Sequence, residues 1–476
     1  MPAKWEPERK YSESRPDTGL PCRRPQNGSK QHGREVAWAI LPNAITPITE
    51  PQGSHARLSQ MQPGVRTEVE VQSSPALRER PWLFNFLIAP DAVISLGLVG
   101  GALSYLLRNE GADPARAASI VALLSLPHAT YFIWGPLTDF FVRRRTWLMG
   151  SAAVAAAIFL LAFHQSRLGA PWTVALLFLG ACVGDFVVAA CGGMMGTLRS
   201  ESNRRRAGSF YQSGSLAFGA VAVFLLVSLS SRLQLGALGW IVAAMIVLPS
   251  LFALAAPAQS MISEHTPRET AARIWQEFKS TFLRCEAIPY TLLVSFPMCS
   301  GAMMGLLPGL ARDYGVTGQQ VAWINGLGGA LLTAAGALAA TLIPVRIRAP
   351  IAYLLVGLIN AATLAVLALG PPRPMVYFAG TALFLFTVGS CWALFTGVVL
   401  EFLGGSGKSG SARYSIINSL GNLPVAYMAY LDGRAYAHWG PRAMPAADAI
   451  LSASGATLLL AHFLFSQRYK QSKLGC

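Results

Sequence analysis

The chain has 476 residues, of which 53% are hydrophobic and only 13% are charged. Soluble domains carry about 25% charged residues, so this composition excludes an ordinary soluble protein and indicates a chain that folds in a membrane. The formal net charge is +15, but the basic residues follow the topology described below, and we predict no nucleic-acid partner.

Residues 1–80 are composed differently from the rest of the chain. They are rich in Pro, Ser, Gln and Arg, and they lack the charged start, apolar run and small-residue cleavage site that follow one another in a signal peptide. We predict that they form a disordered cytoplasmic tail. Translation that begins at Met61 is an alternative, and mass spectrometry of the native N-terminus would distinguish the two.

Beyond this tail, apolar residues occur in twelve blocks near the length of about 20 helical residues that crosses the hydrocarbon core of a bilayer. Lipid offers the backbone no hydrogen-bond partner, so blocks this long and apolar should be helices. The predicted spans, numbered one to twelve, are 83–107, 117–137, 147–166, 172–196, 209–230, 236–256, 288–310, 320–343, 350–369, 375–402, 414–431 and 446–466.

The twelve blocks divide into two halves. The sequence predicts an all-α membrane protein with one six-helix half at 81–256, a polar cytoplasmic linker at 257–287, a second six-helix half at 288–466 and a cytoplasmic tail at 467–476. Many secondary transporters are built from such repeats, with a substrate site near mid-membrane at the interface of the repeats.

Basic residues indicate the orientation. Of the 38 Lys and Arg residues, 18 lie in the C-terminal tail and in every second connection, beginning with the one between spans two and three, whereas the alternate connections hold 8. This asymmetry is typical of the positive-inside rule. We therefore predict a multi-pass inner-membrane protein with both termini in the cytoplasm.

The segment WGPLTDFFVRRR at 134–145 lies between spans two and three. It resembles the cytoplasmic signature of the major facilitator superfamily, a pattern close to Gly-x-Leu-x-Asp-Arg-x-Gly-Arg-Arg. The matching residues are Gly135, Leu137, Asp139, Arg143, Arg144 and Arg145. Phe140 replaces a basic residue of the pattern, and Val142 replaces its second glycine. The twelve spans around the motif strengthen the resemblance, which covers roughly residues 83–466 and implies the fold of that superfamily.

Within the superfamily, YFIWGPLTDFFVRRRTWLMG is similar to the muropeptide and acetyl-coenzyme A permease branch. Span four of that branch commonly contains Gln-Asp and then a second Asp four residues later. Here Gly184 precedes Asp185, and Ala189 occupies the second acidic position. No Lys or Arg lies in the middle of a span, so neutral, zwitterionic or cationic cargo is favoured over a phosphate or coenzyme A.

The resemblance implies a gate on the cytoplasmic side. In such transporters the signature aspartate, here Asp139, interacts with the start of span eleven. A carboxylate is favoured at a helix N-terminus, and Ser409 and Ser411 are candidate caps there. Arg143 to Arg145 either take part in this gate, together with Gly135, or only fix the topology.

Acidic residues inside a bilayer are costly to bury and usually functional. Only Asp91 and Asp185 lie well inside predicted spans, and Glu401 lies at the cytoplasmic end of span ten. The resemblance places spans one, four and ten along the central cavity. We predict that Asp185 and Asp91, with Glu401 as a further candidate, couple protons or bind substrate; the alternative is that each acid only ties helices together. Because Asp91 follows Pro90, we expect a local break in that helix.

Further cavity candidates are aromatic or amide side chains within or near the spans. They are Trp134, Trp323, Asn325, Trp392, Asn418 and Asn422. Tryptophan is common at membrane interfaces, and buried Asn often bridges helices. The cysteines show no CxxC spacing, so we predict no metal site and no disulfide. His128 lies in a span but has no partner at catalytic spacing in the sequence.

Together these features predict a monomeric secondary transporter that moves a small solute by alternating access, and we predict no cofactor. We expect proton coupling, with a cell-wall sugar or peptide as the first choice of cargo. A transporter-like sensor or scaffold without transport, and a membrane-embedded transferase, are the alternatives.

Overall fold

A computed structural model describes residues 80–139, 141–196, 198, 201–256, 267–283, 287–344, 346–403 and 410–474. Every regular element in these ranges is a helix. Nine of the described helices are long and apolar enough to cross a membrane. The prediction of an all-α membrane protein is confirmed, whereas the predicted disorder of residues 1–80 concerns a segment that, except for Arg80, lies outside the described residues.

The N-terminal half contains six helical spans close to the predicted ones. They are Pro81–Asn109, Pro114–Thr130, Arg144–Phe163, Pro171–Gly196, Glu201–Leu229 and Leu235–Ala255. Span two ends at Thr130, earlier than its predicted limit at residue 137. The chain continues through turns, and Pro136 has no backbone N–H with which to extend the α-helix. A separate 3-10 turn, Gly135–Asp139, carries the signature motif.

The C-terminal half contains the remaining spans. They are Ile288–Ser295 with Ala302–Leu310, then Gly318–Leu342, Ala349–Leu369, Pro374–Leu403, Gly410–Trp439 and Ala443–Leu474. Spans two, seven and eleven are not among the nine helices above: span two has 17 residues, span seven is broken, and span eleven is more polar.

The break in span seven was not predicted. Pro297 lacks a backbone N–H, and Cys299 and Gly301 have positive φ angles of 54° and 75°. Such backbone cannot continue a right-handed helix. The chain therefore leaves the helix after Ser295 and resumes it at Ala302, in the middle of an otherwise apolar block.

The described part of the polar linker between the halves contains one helix, Pro267–Phe282. The Phe282 ring of this helix packs edge-on against the Phe402 ring of span ten, with ring centroids 5.9 Å apart. Within the linker helix, the rings of Trp275 and Phe278 stack with their centroids 5.6 Å apart. The linker is thus attached to the C-terminal half through aromatic contacts.

The two halves meet along two pairs of spans. Span two packs along span eleven, and span five packs against span eight. Glycines allow both close approaches: a Cβ on Gly433 would lie 2.4 Å from Ala118 Cβ, and one on Gly326 would lie 3.1 Å from the backbone nitrogen of Phe224. Small residues at such crossings let helix backbones pack closely in a membrane.

Span one and the second segment of span seven seal one end of this interface. Ser104 Oγ donates to the carbonyl of Gly305 at 2.5 Å and accepts from the backbone N–H of Gly309 at 3.2 Å. One turn further on, the Arg108 guanidinium lies 3.4 Å from Asp313 Oδ1. The described residues of spans four and ten, at the other end, make no comparable contact. We call the end at which spans one and seven meet the sealed end.

Candidate functional site

Three side chains from different spans meet in the N-terminal half. Asp91 lies on span one, His128 on span two and Asp185 on span four, and one ligand atom of each lies within 4.8 Å of those of the other two. Both carboxyl groups are buried, whereas the His128 side chain is 28% exposed. We call these residues the Asp–His–Asp cluster.

Hydrogen bonds organise the cluster. His128 Nδ1 lies 3.0 Å from Asp185 Oδ1, and the Ser95 hydroxyl lies within reach of Asp91 Oδ2 at 3.3 Å and of its backbone carbonyl at 3.0 Å. Asp185 Oδ2 is buried and has no hydrogen-bond partner among the described residues. The cluster therefore joins two buried acids to an imidazole that reaches a more open region.

Local sequence explains why spans one and four approach so closely. Asp91 follows Pro90 in a short helical turn, Ala89–Ala92, and the chain then widens into a π-helix, Val93–Ala102. The predicted break at Pro90 is not seen, because the backbone stays helical there; the helix instead widens one turn later, and π-helical turns are frequent at functional sites. A Cβ on Gly184 would lie 2.8 Å from Ile94 Cδ1, so the glycine beside Asp185 makes room for span one.

His128 is the member of the cluster that the sequence did not predict. Its partner Asp185 is 57 residues away and lies on another span, so no partner is visible at catalytic spacing along the chain. A histidine after Pro127 in an apolar helix was the available signal. Three ligands of this kind can also surround a metal ion, and the absence of a metal stays a prediction.

Glu401 lies apart from the cluster. Its carboxylate accepts a hydrogen bond from the Tyr290 hydroxyl at 2.8 Å and from Arg348 Nε at 3.2 Å, and it also pairs with Arg348 Nη2. These contacts raise the pKa of Arg348, chiefly through the hydrogen bond to Glu401. The structure thus gives Glu401 an ion pair that ties spans seven, nine and ten together; its predicted coupling role stays a prediction.

The signature motif docks onto span four. A Cβ on Gly135 would lie 3.3 Å from Ala189 Cβ, and Arg144 Nη1 donates to the carbonyl of Gly193 at 2.6 Å. Arg143 precedes span three and is exposed, and Arg145 is half-buried. The predicted partner of Asp139, near residues 404–409, lies outside the described residues, so the gate stays a prediction.

Two of the lesser candidates have structural surroundings that do not involve the cluster. Asn325 donates to the Tyr377 hydroxyl at 2.8 Å, and Tyr377 in turn donates to the carbonyl of Leu307 at 3.0 Å, which ties spans eight, ten and seven. Trp323 is 53% exposed and packs edge-on against Phe224 of span five at 5.1 Å.

The other candidates lie nearer the interior. The Trp134 indole N–H is buried without a partner among the described residues. The Trp392 ring lies beside Gly301 at the break in span seven: a Cβ added to Gly301 would be 3.7 Å from the ring. Asn422 donates to the carbonyl of Asn418 at 3.1 Å, within span eleven. A role for these residues in binding cargo stays a prediction.

Two residues contradict the expectation that the chain has no disulfide. Cys299, in the break of span seven, is bonded to Cys391 of span ten, and their Cα atoms are 6.0 Å apart. The pair is separated by 92 residues in sequence, so a search for short cysteine spacings could not find it. The bond joins the broken segment to its neighbouring span.

Two acids in the C-terminal half were also missed. Asp432 and Asp448 are both buried, at 0% and 3% exposure, and neither was predicted to lie well inside a span. The observed helix Gly410–Trp439 extends beyond the predicted limit at residue 431 and so includes Asp432. Asp448 lies only two residues inside the predicted start of span twelve, and the observed helix begins earlier, at Ala443.

The family model of the Major Facilitator Superfamily matches residues 91–426. The chain belongs to the major facilitator superfamily. The family predicted from the signature motif is thereby confirmed, while the resemblance to the muropeptide and acetyl-coenzyme A permease branch stays a prediction. No curated protein matches the chain.

Solved structures support the same fold at low identity. A POT family transporter in complex with a thioalcohol-conjugated peptide has a TM-score of 0.62 and 11% identity, over 82% of this chain and 96% of that one. A POT family transporter in complex with 5-aminolevulinic acid has a TM-score of 0.61 and 10% identity, over 80% and 95%.

A bacterial homolog of the human lysosomal transporter Spinster, in an inward-facing and unoccupied conformation, has a TM-score of 0.55 and 16% identity, over 82% of this chain and 95% of that chain. At such identities the likeness to all three structures shows the fold alone. The family and fold point to a transporter rather than an enzyme.

Proposed function

We propose that this protein is a proton-coupled secondary transporter in which Asp185 and Asp91 take up and release protons and His128 connects them to water. The observation that carries the proposal is the Asp–His–Asp cluster, which brings together spans one, two and four around two buried carboxyl groups. Intramembrane acids of this kind commonly form proton relays.

The charges of the cluster favour proton exchange. Two carboxylates and a neutral imidazole would leave two buried negative charges, which a low-dielectric interior strongly disfavours. A proton on His128 and another on a carboxyl group would remove this charge. Because the His128 side chain is partly exposed while its partner Asp185 is buried, the imidazole can pass a proton from water to the acid.

The contacts between the halves support alternating access. Spans one and seven seal one end through Ser104 and the Arg108–Asp313 ion pair, whereas the described parts of spans four and ten do not seal the other. If both termini are cytoplasmic, as the basic residues predict, this arrangement faces the cytoplasm. In the opposite conformation of the transport cycle, the contacts between spans one and seven would break and the end that carries Asp139 would close.

The distribution of basic residues along the spans supports a proposal for the class of cargo. No Lys or Arg lies in the middle of a span, so the cavity favours neutral, zwitterionic or cationic solutes over phosphorylated ones. The first choice remains a cell-wall sugar or peptide, and the peptide bound by one structural neighbour makes short peptides the first set to test. We further propose a monomer in the inner membrane of the cell.

The test is uptake by proteoliposomes that contain the full-length protein. A panel of short peptides, amino sugars and muropeptide fragments is offered with an inward proton gradient, with and without a protonophore. We expect at least one solute to accumulate against its gradient and the protonophore to abolish accumulation. Accumulation that ignores the protonophore would contradict proton coupling, and the absence of any transport by a folded protein would favour the sensor alternative.

A further inference from the structure

Asp432 and Asp448 form a buried acidic pair in the C-terminal half. Asp432 lies on span eleven and Asp448 on span twelve, and the two carboxyl groups interact electrostatically with each other. Both side chains are almost fully buried. Ser452 donates to Asp448 Oδ1 at 2.8 Å, whereas neither oxygen of Asp432 receives a hydrogen bond from any described residue.

The surroundings supply no positive charge. No described Arg, Lys or His interacts electrostatically with either acid. Span two, which packs against span eleven at Gly433, presents Ala115 and Ala118 there. Tyr427 interacts electrostatically with Asp448, and its hydroxyl donates to the carbonyl of Ser295 at 2.7 Å.

Two carboxylates cannot both be ionised in such a place. They would repel each other at close range, and neither a donor nor a basic group compensates Asp432. A proton held between them satisfies the unpartnered oxygens and removes the repulsion. The geometry therefore requires a positive occupant between the two acids, and a proton needs no further ligands.

The pair is linked to the break in span seven. Ser452 Oγ lies 2.8 Å from Asp448 Oδ1 and 3.0 Å from the carbonyl oxygen of Pro297. A hydroxyl has one proton to donate, so Ser452 can fully satisfy only one of these acceptors. When Asp448 is ionised, its carboxylate attracts the hydroxyl proton of Ser452. When Asp448 is protonated, the Ser452 hydroxyl can donate to the Pro297 carbonyl instead.

The break itself leads to the sealed end. Its second segment, Ala302–Leu310, carries Gly305 and Gly309, which contact Ser104 of span one. Pro297, whose carbonyl accepts the Ser452 hydrogen bond, lies in the break that immediately precedes this segment. The acidic pair is thus connected to the seal by one hydroxyl and one short helix.

We propose that Asp432 and Asp448 form a second proton-binding site, separate from the Asp–His–Asp cluster, and that its occupancy controls the break in span seven and so the opening of the sealed end. The proposal extends the proposed transport cycle, but its first test does not depend on transport.

The first test is infrared difference spectroscopy of the purified full-length protein across a pH titration. We expect a carbonyl band of a protonated carboxyl group that shifts in deuterated water, that is lost in D432N and in D448N, and that persists in D185N. Absence of the band in the unaltered protein, or its persistence in both D432N and D448N, would overturn the site. A band that sodium ions remove at constant pH would identify a metal cation as the occupant and would also overturn it.

The second test measures the seal. Fluorophores introduced as unnatural amino acids at Ser166 and Gln319, which are exposed on the two halves at the sealed end, report the distance between the halves. We expect a pH-dependent change in the distance that D432N abolishes and S452A reduces, with the infrared band of S452A retained. A pH response that is identical in all three proteins would contradict control of the seal. Loss of proton-driven uptake in D185N with these responses intact would separate the two sites.

Discussion

The two halves of the protein bury acidic groups in different ways. In the N-terminal half Asp185 contacts His128, so the acid has a basic partner, and that partner is partly exposed. In the C-terminal half Asp432 is fully buried, and among the described residues it interacts electrostatically with another acid, Asp448, and with no basic group. The two halves thus bury one acid beside a partly exposed histidine and another beside a second buried acid.

This difference separates two roles. A site that exchanges protons during transport needs a path to water and a partner that accepts the proton. A site that senses protonation and acts on a helix needs only a contact with an element that can adopt two conformations, here the break in span seven. We therefore assign the main coupling step to the N-terminal cluster.

Replacement of His128 should have the largest effect. In His128→Gln the buried acids lose their connection to water, and we expect proton-driven uptake to fall about 100-fold or more. Initial uptake rates in proteoliposomes measure the effect. His164→Gln is the matched control, because His164 is exposed at the end of span three. A His128→Gln protein with unaltered uptake would remove the histidine from the mechanism.

The same substitution in the two halves should change stability differently. Asp185→Leu leaves His128 without its partner, and we expect the free energy of unfolding to fall by about 2 kcal/mol or more. Asp432→Leu removes a buried acid whose described electrostatic partner is another acid, and the relief of burial and repulsion offsets the lost shared-proton bond, so stability should change by less than about 1 kcal/mol or rise. Thermal unfolding in detergent compares the two. Equal destabilisation would mean that the acidic pair stabilises the fold as strongly as the Asp185–His128 contact does.

Weakening the sealed end should shift the conformational equilibrium modestly. Ser104→Ala removes the hydroxyl that both donates to Gly305 and accepts from Gly309. Loss of about 1 kcal/mol of hydrogen bonding corresponds to about a fivefold shift toward the opposite conformation. The distance between labels at Ser166 and Gln319 reports it. Ser119→Ala is the control, since that hydroxyl bonds only to its own helix; an equal shift in the control would invalidate the assignment.

The smallest effect is expected at Glu401. Its pair with Arg348 is partly exposed, so a double-mutant cycle of Glu401→Gln and Arg348→Gln should give a coupling energy below about 1 kcal/mol. Proton-driven uptake should persist in Glu401→Gln. If uptake is lost instead, Glu401 joins the coupling residues, as its position on span ten first indicated.

The sequence predicts the fold well because hydropathy directly reflects the lipid environment. Block lengths and basic residues indicate the spans, and the signature motif identifies the superfamily. The break in span seven is not visible in this way, since Pro297 and Gly301 lie inside an apolar block whose hydropathy does not report backbone angles. Asp432 was missed because the polar residues around it ended the predicted span too early.

The candidate site is predictable only in part. Asp91 and Asp185 stand out as acids in apolar helices, because burying a charge in a bilayer is expensive. Their partner His128 could not be assigned, since the contact depends on how span two packs against span four. The Cys299–Cys391 bond escaped prediction for the same reason. Contacts between spans arise from tertiary packing, which a single sequence does not specify.

The most direct test of the central claim compares accumulation with exchange in Asp185→Asn. Proteoliposomes are loaded with a transported solute, and two rates are measured: net uptake driven by a proton gradient, and exchange of labelled for unlabelled solute without a gradient. Loss of proton-driven uptake with exchange retained is the predicted result, because a neutral amide binds no proton yet leaves the cavity intact. Asp113→Asn, at an exposed helix cap, should retain both. Proton-driven accumulation by Asp185→Asn at the unaltered rate would contradict the account.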